Sequence, residues 1–141
     1  MFVGQYEHTL DEKGRVVLPP DFRESLGARA YVVRLGERLG IWDEETFATV
    51  SAEWEAHRRA SVLDAVSFRK LTGETQRVKV DSAGRITINK SLLEGFPLGQ
   101  PVVLTGSLSR IEVWPSELFH AVHDSEQASA DVSAALDRMG L

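Results

Sequence analysis

Along this 141-residue chain, short runs of alternating apolar and polar positions lead into a turn, resume, and pass into a helical stretch, and they do so twice. In the first pass Tyr6-Glu-His-Thr-Leu10 runs into Asp11-Glu-Lys-Gly-Arg15, and Val16-Val-Leu18 follows. In the second, Arg77-Val-Lys-Val80 runs into Asp81-Ser-Ala-Gly-Arg85, and Ile86-Thr-Ile88 follows. A period of two on both sides of a glycine-bearing turn predicts strand, tight turn, strand. Gly14 and Gly84 stand where such a turn needs positive φ, and Asp11 and Asp81 are placed to accept hydrogen bonds from the backbone of the turn they open. Pro19-Pro20 stops the strand, and Asp21 to Gly27 reads as a short helix, mirrored by Ser91 to Gly95. Two further strands follow in each pass, Ala30 to Arg34 with Gly40 to Trp42, and Pro101 to Thr105 with Arg110 to Trp114. Each pass then closes on a helix, capped by Asp43 or started by Pro115 and Ser116. Phe47, Val50 and Trp54 have the spacing of a buried helical stripe. Ser61-Val-Leu-Asp64 has the form of a capping box for a linking helix that carries Val62, Val66 and Phe68. From Ser125 onward only Val132, Leu136 and Met139 keep helical spacing, which predicts a weak helix or a frayed tail.

The two passes match position by position. Asp-x-x-Gly-Arg recurs at an offset of 70 residues; Phe22 falls on Leu92, Leu26 on Phe96, Val32-Val33 on Val102-Val103, and Gly36 on Gly106. After a slip of two residues Trp42 falls on Trp114 and Phe47 on Phe119. An ordered set of turn, apolar pairs, tryptophan and phenylalanine is a duplication, and repeats are sought first because they decide the architecture. Units this short bury too little surface to fold alone, so the copies are expected to complete each other's core about a pseudo-twofold axis. The expected fold is α+β: tandem hairpin/helix repeats with a shared barrel-like core and flanking helices. The expected divisions are a first repeat at 5–50, a helical linker at 51–75, a second repeat at 76–122 and a polar tail at 123–141.

Composition adds bounds. Hydrophobic residues make up 43% and charged residues 26%, which suits one globular domain with a real core. The chain has no cysteine, so disulfides and cysteine-ligated metal centres are excluded, in keeping with a reducing cytoplasm. The first residues lack the basic and apolar regions of a signal peptide, and no apolar run approaches a membrane span, so no membrane partner is expected. A net charge of −5 argues at first against nucleic acid, where phosphate neutralisation dominates binding. Distribution reverses that argument. Acidic residues gather in Asp43-Glu44-Glu45, at Glu53 and Glu55 and in the tail, whereas the repeated turns carry Lys13, Arg15, Arg77, Lys79, Arg85 and Lys90. A basic face on an acidic body is expected.

In both copies an arginine directly follows the turn glycine, held on a rigid ribbon. That suits guanidinium contacts to phosphate or to guanine edges, and two-stranded ribbons do enter DNA grooves. The competing reading is that any hairpin favours Asp and Gly and that the Arg only pairs with the Asp across the turn. Enzymatic readings are weak. Among His8, His57, His120 and His123, only His120 and His123 have a helical i, i+3 spacing for a metal, and they have no clear third ligand. Glu44-Glu45 fits a helix start better than a two-carboxylate site. Phosphate-binding glycine loops and a nucleophile elbow are absent. No metal, no cofactor and no catalysis are expected.

Taken together, Met1-Phe-Val-Gly-Gln-Tyr, the run from Leu10 through Arg15 to Pro19 and Phe22-Arg23, the linker Gly73-Glu74, and Asp81 to Ile86 resemble the MraZ family over about residues 1 to 122. Each half is similar to the AbrB and SpoVT type of swapped-hairpin DNA-binding module. The resemblance implies a transcription factor that binds double-stranded DNA, assembles as a ring-like homo-oligomer, and grips short promoter repeats, usually repressing its own division and cell-wall cluster from the cytoplasm and nucleoid. It maps the family's arginines onto Arg15 and Arg85 and its aspartates onto Asp11 and Asp81. The first turn has Lys13 where the second has Ala83, so Arg15 with Lys13 is expected to outweigh Arg85. A protein-interaction module, antitoxin-like or docking on an enzyme of the same operon, is the competing class, and the two arginines discriminate: they face either DNA or a protein partner.

Overall fold

In the computed structural model, which describes residues 1–141, neither half keeps its own first strand. The first half contains β1 (Gln5–Leu10), β2 (Arg15–Val17), α1 (Pro20–Leu26), β3 (Arg29–Leu35), β4 (Arg38–Asp43) and α2 (Glu44–Arg59). After α3 (Ala65–Glu74), the second half contains β5 (Gln76–Lys79), β6 (Arg85–Thr87), β7 (Gln100–Gly106), β8 (Ile111–Pro115) and α4 (Ser116–His123), and α5 (Glu126–Arg138) ends the chain. Strand β1 pairs antiparallel with β7 of the second half, and β5 pairs antiparallel with β3 of the first. The resulting six-stranded sheet has the order β1-β7-β8-β4-β3-β5, and β2 with β6 forms a separate two-stranded ribbon. The architecture is α+β, as the duplicated pattern predicts.

The strands beside each turn are therefore shared between halves instead of forming a private hairpin. Within the first turn one backbone ladder bond, Asp11 N–H to Arg15 O at 3.0 Å, joins its two sides. Beyond it β1 and β2 diverge into different sheets. The physical cause is burial: Leu10 and Val16 both enter the common core, and each strand finds its backbone partner in the other copy. One cluster of 20 buried residues draws on both halves, with Phe22 edge-on to Phe2 at 5.8 Å and to Tyr6 at 5.1 Å. Such edge-to-face contacts suit the ring quadrupole.

The pseudo-twofold axis can be located from the registers. Val16 pairs with its own counterpart Ile86 in the ribbon, and Gly40 pairs with its counterpart Glu112 where β4 meets β8. At the second crossing the halves differ. Glu112 is buried, and its carboxylate accepts from Arg38 Nε at 2.9 Å, from Arg110 Nη2 at 2.7 Å and from Trp114 Nε1 at 3.1 Å. Arg38 lies over Trp114 and Arg110 over Trp42, each arginine crossing to the other half's tryptophan. Burial alone would raise the Glu112 pKa, but the bonds from Arg110 and Trp114 and the charges of Arg110 and Arg38 hold it below its ordinary value.

Local elements follow sequence logic with two corrections. Pro20 opens α1, Gly27 at φ 78° ends it, and the Asp43 side chain caps α2 by accepting from Thr46 N–H at 2.7 Å. The counterpart of α1 is only a single 3-10 turn at Lys90–Leu92, because Gly95 and Pro97 leave no room for a second helical turn. The linking helix is capped by Asp64, which accepts from Ser67 N–H at 2.7 Å; Ser61 instead takes φ 61° in the loop, so Val62 precedes the helix and stays exposed. Beyond His123, of the two expected alternatives the chain takes the helix, over Glu126–Arg138, capped by Ser125, with Val132 and Met139 exposed.

Candidate nucleic-acid interface

Each Asp-x-x-Gly-Arg turn is locked by its aspartate in the same way. In the first, Asp11 Oδ1 accepts from Lys13 N–H at 2.9 Å and from Arg15 N–H at 2.8 Å, while Oδ2 accepts from Arg15 Nε at 2.7 Å. In the second, Asp81 Oδ1 accepts from the Ala83 and Arg85 amides, both at 2.9 Å, and Oδ2 accepts from Arg85 Nε at 2.9 Å. The Arg15 backbone bond is the main cause that lowers the Asp11 pKa from its ordinary value, and the Arg85 backbone bond does the same for Asp81. Both carboxylates are therefore ionised throughout the neutral range.

Gly14 at φ 79° and Gly84 at φ 78° complete the turns. Their carbonyls also reach across to the other copy, where Gly84 O accepts from Leu18 N–H at 2.9 Å and Gly14 O accepts from Ile88 N–H at 2.8 Å. Each turn is thus fastened to the strand of the opposite half, which orients the two turns relative to each other.

The consequence for the arginines is specific. The Asp–Arg pairing across the turn exists, but it uses only Nε; Nη1 and Nη2 of Arg15 and of Arg85 make no hydrogen bond within the protein. Those ends are the pair that grips phosphate or a guanine edge. In the ribbon Arg15 stands opposite Thr87 and Val17 opposite Arg85, so all four side chains share the outer face while Val16 and Ile86 fill the core. The two arginines are diagonal neighbours, about 7–8 Å apart by sheet geometry. The ribbon presents two fixed guanidiniums around the exposed Val17, with Lys13 exposed on the adjoining turn.

All seven residues singled out from sequence, Asp11, Lys13, Gly14, Arg15, Asp81, Gly84 and Arg85, lie in these two turns or at the start of the ribbon strands. Sequence reading passed over two of their neighbours. Val17 lies between the arginines, and Arg23 packs against the second turn, its Nη1 2.7 Å from where a Cβ on Gly84 would stand. The signal for Arg23 was available, since its counterpart in the other half is Leu93. The histidines build nothing comparable. His120 bonds Asp124 at 2.7 Å, His123 bonds the Phe119 carbonyl at 2.7 Å, and no group of three or more His, Asp or Glu residues is arranged to hold a metal ion. No helix is long and apolar enough to cross a membrane.

The fold and site define an α+β protein of two interlocked repeats that displays paired, aspartate-locked arginines on one ribbon. A family model described as "MraZ protein, putative antitoxin-like" matches residues 1–68 and again 71–140. The chain is 37% identical to the Transcriptional regulator MraZ of Dictyoglomus thermophilum, over 89% of this chain and 87% of that one. It is 31% identical to that of Halothermothrix orenii and 30% identical to that of a Thermoanaerobacter species, each over 100% of both chains. The chain belongs to the MraZ family, whose relatives here carry the name of transcriptional regulators and not of enzymes.

Proposed function

We propose that this protein is a non-catalytic transcriptional regulator that binds double-stranded DNA through Arg15 and Arg85, assisted by Lys13. Asp11 and Asp81 shape the turns, and Gly14 and Gly84 permit them. The observation that carries this reading is the pair of guanidiniums fixed through Nε, with both Nη groups free, on the outward face of a single ribbon. Fixing Nε beforehand leaves little side-chain entropy to lose on binding, which favours contact with a planar, bidentate acceptor. The relatives' shared name supports a role in transcription.

In its finer form the proposal is a ring-like homo-oligomer that grips short promoter repeats and represses its own division and cell-wall cluster, in the cytoplasm at the nucleoid. The units 5–50 and 76–122 act together as the reader, with 51–75 as linker and 123–141 outside it. Repeated subunits on repeated sites would convert modest single contacts into usable affinity, which answers the net charge of −5. The family's description as antitoxin-like favours one second reading, in which the same arginines bind a protein partner.

The test is binding to duplex DNA from upstream of the chain's own gene, wild type against Arg15→Ala, at two salt concentrations. The Arg15–Asp11 pair is about a third exposed on each side, so its loss should change stability little and leave the assembly intact. Wild type should bind, weaken steeply with salt, and lose most of its affinity in the variant. If both proteins ignore the DNA, or if binding is nearly independent of salt, this function is wrong. A variant that keeps DNA binding but loses a protein complex would establish the second reading.

A further inference from the structure

The two turns are chemically alike, but what stands behind them is not. Behind the first turn the position is filled by Leu93, buried, with its Cδ1 3.2 Å from where a Cβ on Gly14 would stand. Behind the second turn the counterpart of Leu93 is Arg23, and the space is an open cleft of about 820 Å³ whose lining includes His8, Val17, Arg23, Ser82 and Ala83. Val17 belongs both to this cleft and to the outer face of the ribbon, where it stands opposite Arg85. The cleft therefore opens beside Arg85.

We propose that Arg23 is a further DNA contact, holding a backbone phosphate in this cleft while Arg85 engages the adjoining groove. The inference rests on the DNA-binding reading above and deepens it. Arg23 reaches back from α1 to the second turn, and its hydrogen-bond partner there is a carbonyl, Ser82 O at 3.4 Å, not a carboxylate. A long bond to a neutral acceptor leaves the guanidinium charge and most of its five donors for an anion. Of the carboxylates lining the cleft, Asp81 is already engaged by Arg85 and two turn amides, which leaves Glu24 as the local opposition. The second turn lacks the lysine of the first, having Ala83 in place of Lys13, and Arg23 supplies the missing cation from another element. Each turn then carries two cations, Lys13 with Arg15 and Arg23 with Arg85, and a ligand spanning the ribbon meets similar charge at both ends.

The other half provides the control for packing. Since leucine fills the corresponding position behind Gly14, Arg23→Leu should preserve the support of the turn while removing the charge; Arg23→Gln removes the charge and keeps a hydrogen-bond donor, and Arg23→Lys keeps the charge. Full-length proteins of unchanged melting temperature and assembly size would be titrated with upstream duplex and with unrelated duplex across a salt series. Arg23→Leu and Arg23→Gln should weaken both duplexes and make log Kd less steep in log salt by about 1 for each engaged subunit, with Arg23→Lys close to wild type. If Arg23→Leu does not fold, the Gln variant carries the comparison. An unchanged slope in a folded, uncharged variant would overturn the proposal and leave Arg15 and Arg85 standing; loss confined to the upstream duplex would overturn the phosphate assignment. A wild type that binds neither duplex removes the DNA reading itself, a result distinguishable from either.

Discussion

The first and second halves of the chain keep the same aspartate lock in their turns and differ in the residues around it and at one crossing of the axis between them. On the axis at β4 and β8, one half has Gly40 and the other Glu112, and these residues pair directly. Two glutamates opposite each other would repel, and two glycines would leave Arg38 and Arg110 without a counter-charge. One carboxylate shared by both arginines is a solution open only to unequal halves. Gly40 also makes room, because a Cβ there would come within 2.7 Å of Trp42 Cη2, and that ring carries Arg110. The outer helices differ likewise, 16 residues in α2 against 8 in α4. What the halves hold in common is the aspartate-locked arginine proposed to meet a ligand; they diverge in the cations beside it, at the axis and in their outer helices.

The largest test of this comparison is Glu112→Ala. It leaves two guanidiniums at the axis with no anion between them. Removing one partner of a buried ion pair destabilises by about 3–5 kcal/mol, and the arginines' side-chain exposures of 33% and 30% reduce the expectation to about 2–3 kcal/mol. Urea unfolding followed by tryptophan fluorescence should show one transition at a lower midpoint, since the halves share a core and must unfold together. Two separate transitions would mean that the halves are independent and that the axis cluster is incidental.

The next test sets the two turn glycines against each other. Alanine at either position meets the positive-φ penalty of about 1 kcal/mol. At Gly14 the new Cβ would also stand 2.5 Å from the Ile88 carbonyl oxygen, a backbone atom in the core ribbon, whereas at Gly84 it meets the far end of Arg23, which can swing aside. Gly14→Ala should therefore lower stability by about 2–3 kcal/mol and Gly84→Ala by about 1 kcal/mol, measured by denaturant midpoint. Equal losses would show that Arg23 is held as rigidly as the backbone. The same displacement of Arg23 makes Gly84→Ala a milder way to disturb the cleft behind the second turn.

Much of this was legible in the sequence because a duplication writes its own alignment. The offset between Asp11 and Asp81 exposed the two turns, and the pairing of Trp42 with Trp114 and Phe47 with Phe119 exposed the repeat's extent. Exchange of strands was not legible from the residues themselves, because Tyr6 to Leu10 alternates identically whether its partner is β2 or β7, and local periodicity carries no information on which copy supplies the hydrogen bonds. Arg23 was passed over for a related reason. It sits on an exposed face of α1, where an arginine is ordinary; its mismatch with Leu93 marks it as unshared, and the fold, carrying it 59 positions along the chain to Ser82, shows what it touches. Glu112 was hidden similarly, since an alternating strand gives no warning that one of its outward positions lies on an axis.

The smallest effect also separates the halves, and it is one of pH. His120 on α4 has Ala48 as its counterpart on α2, so only the second half carries a titrating tie between its outer helix and the edge strand β1. The bond to Asp124 raises the His120 pKa above 6.5; its partial shielding from solvent works the other way, and Glu7 at 3.5 Å adds to the increase. A group whose folded pKa is raised contributes stability fully below its unfolded pKa and loses it as pH rises through the folded value. Stability should therefore decline as the pH climbs through and above 6.5, by a small amount because all three side chains are well exposed to solvent and screened by salt. Melting curves of wild type and His120→Gln over that window provide the measurement: the variant should be flat where wild type slopes downward, and added salt should bring the two together. A slope that survives in His120→Gln would place the titrating tie elsewhere, and the contrast between α4 and α2 would then be one of length alone.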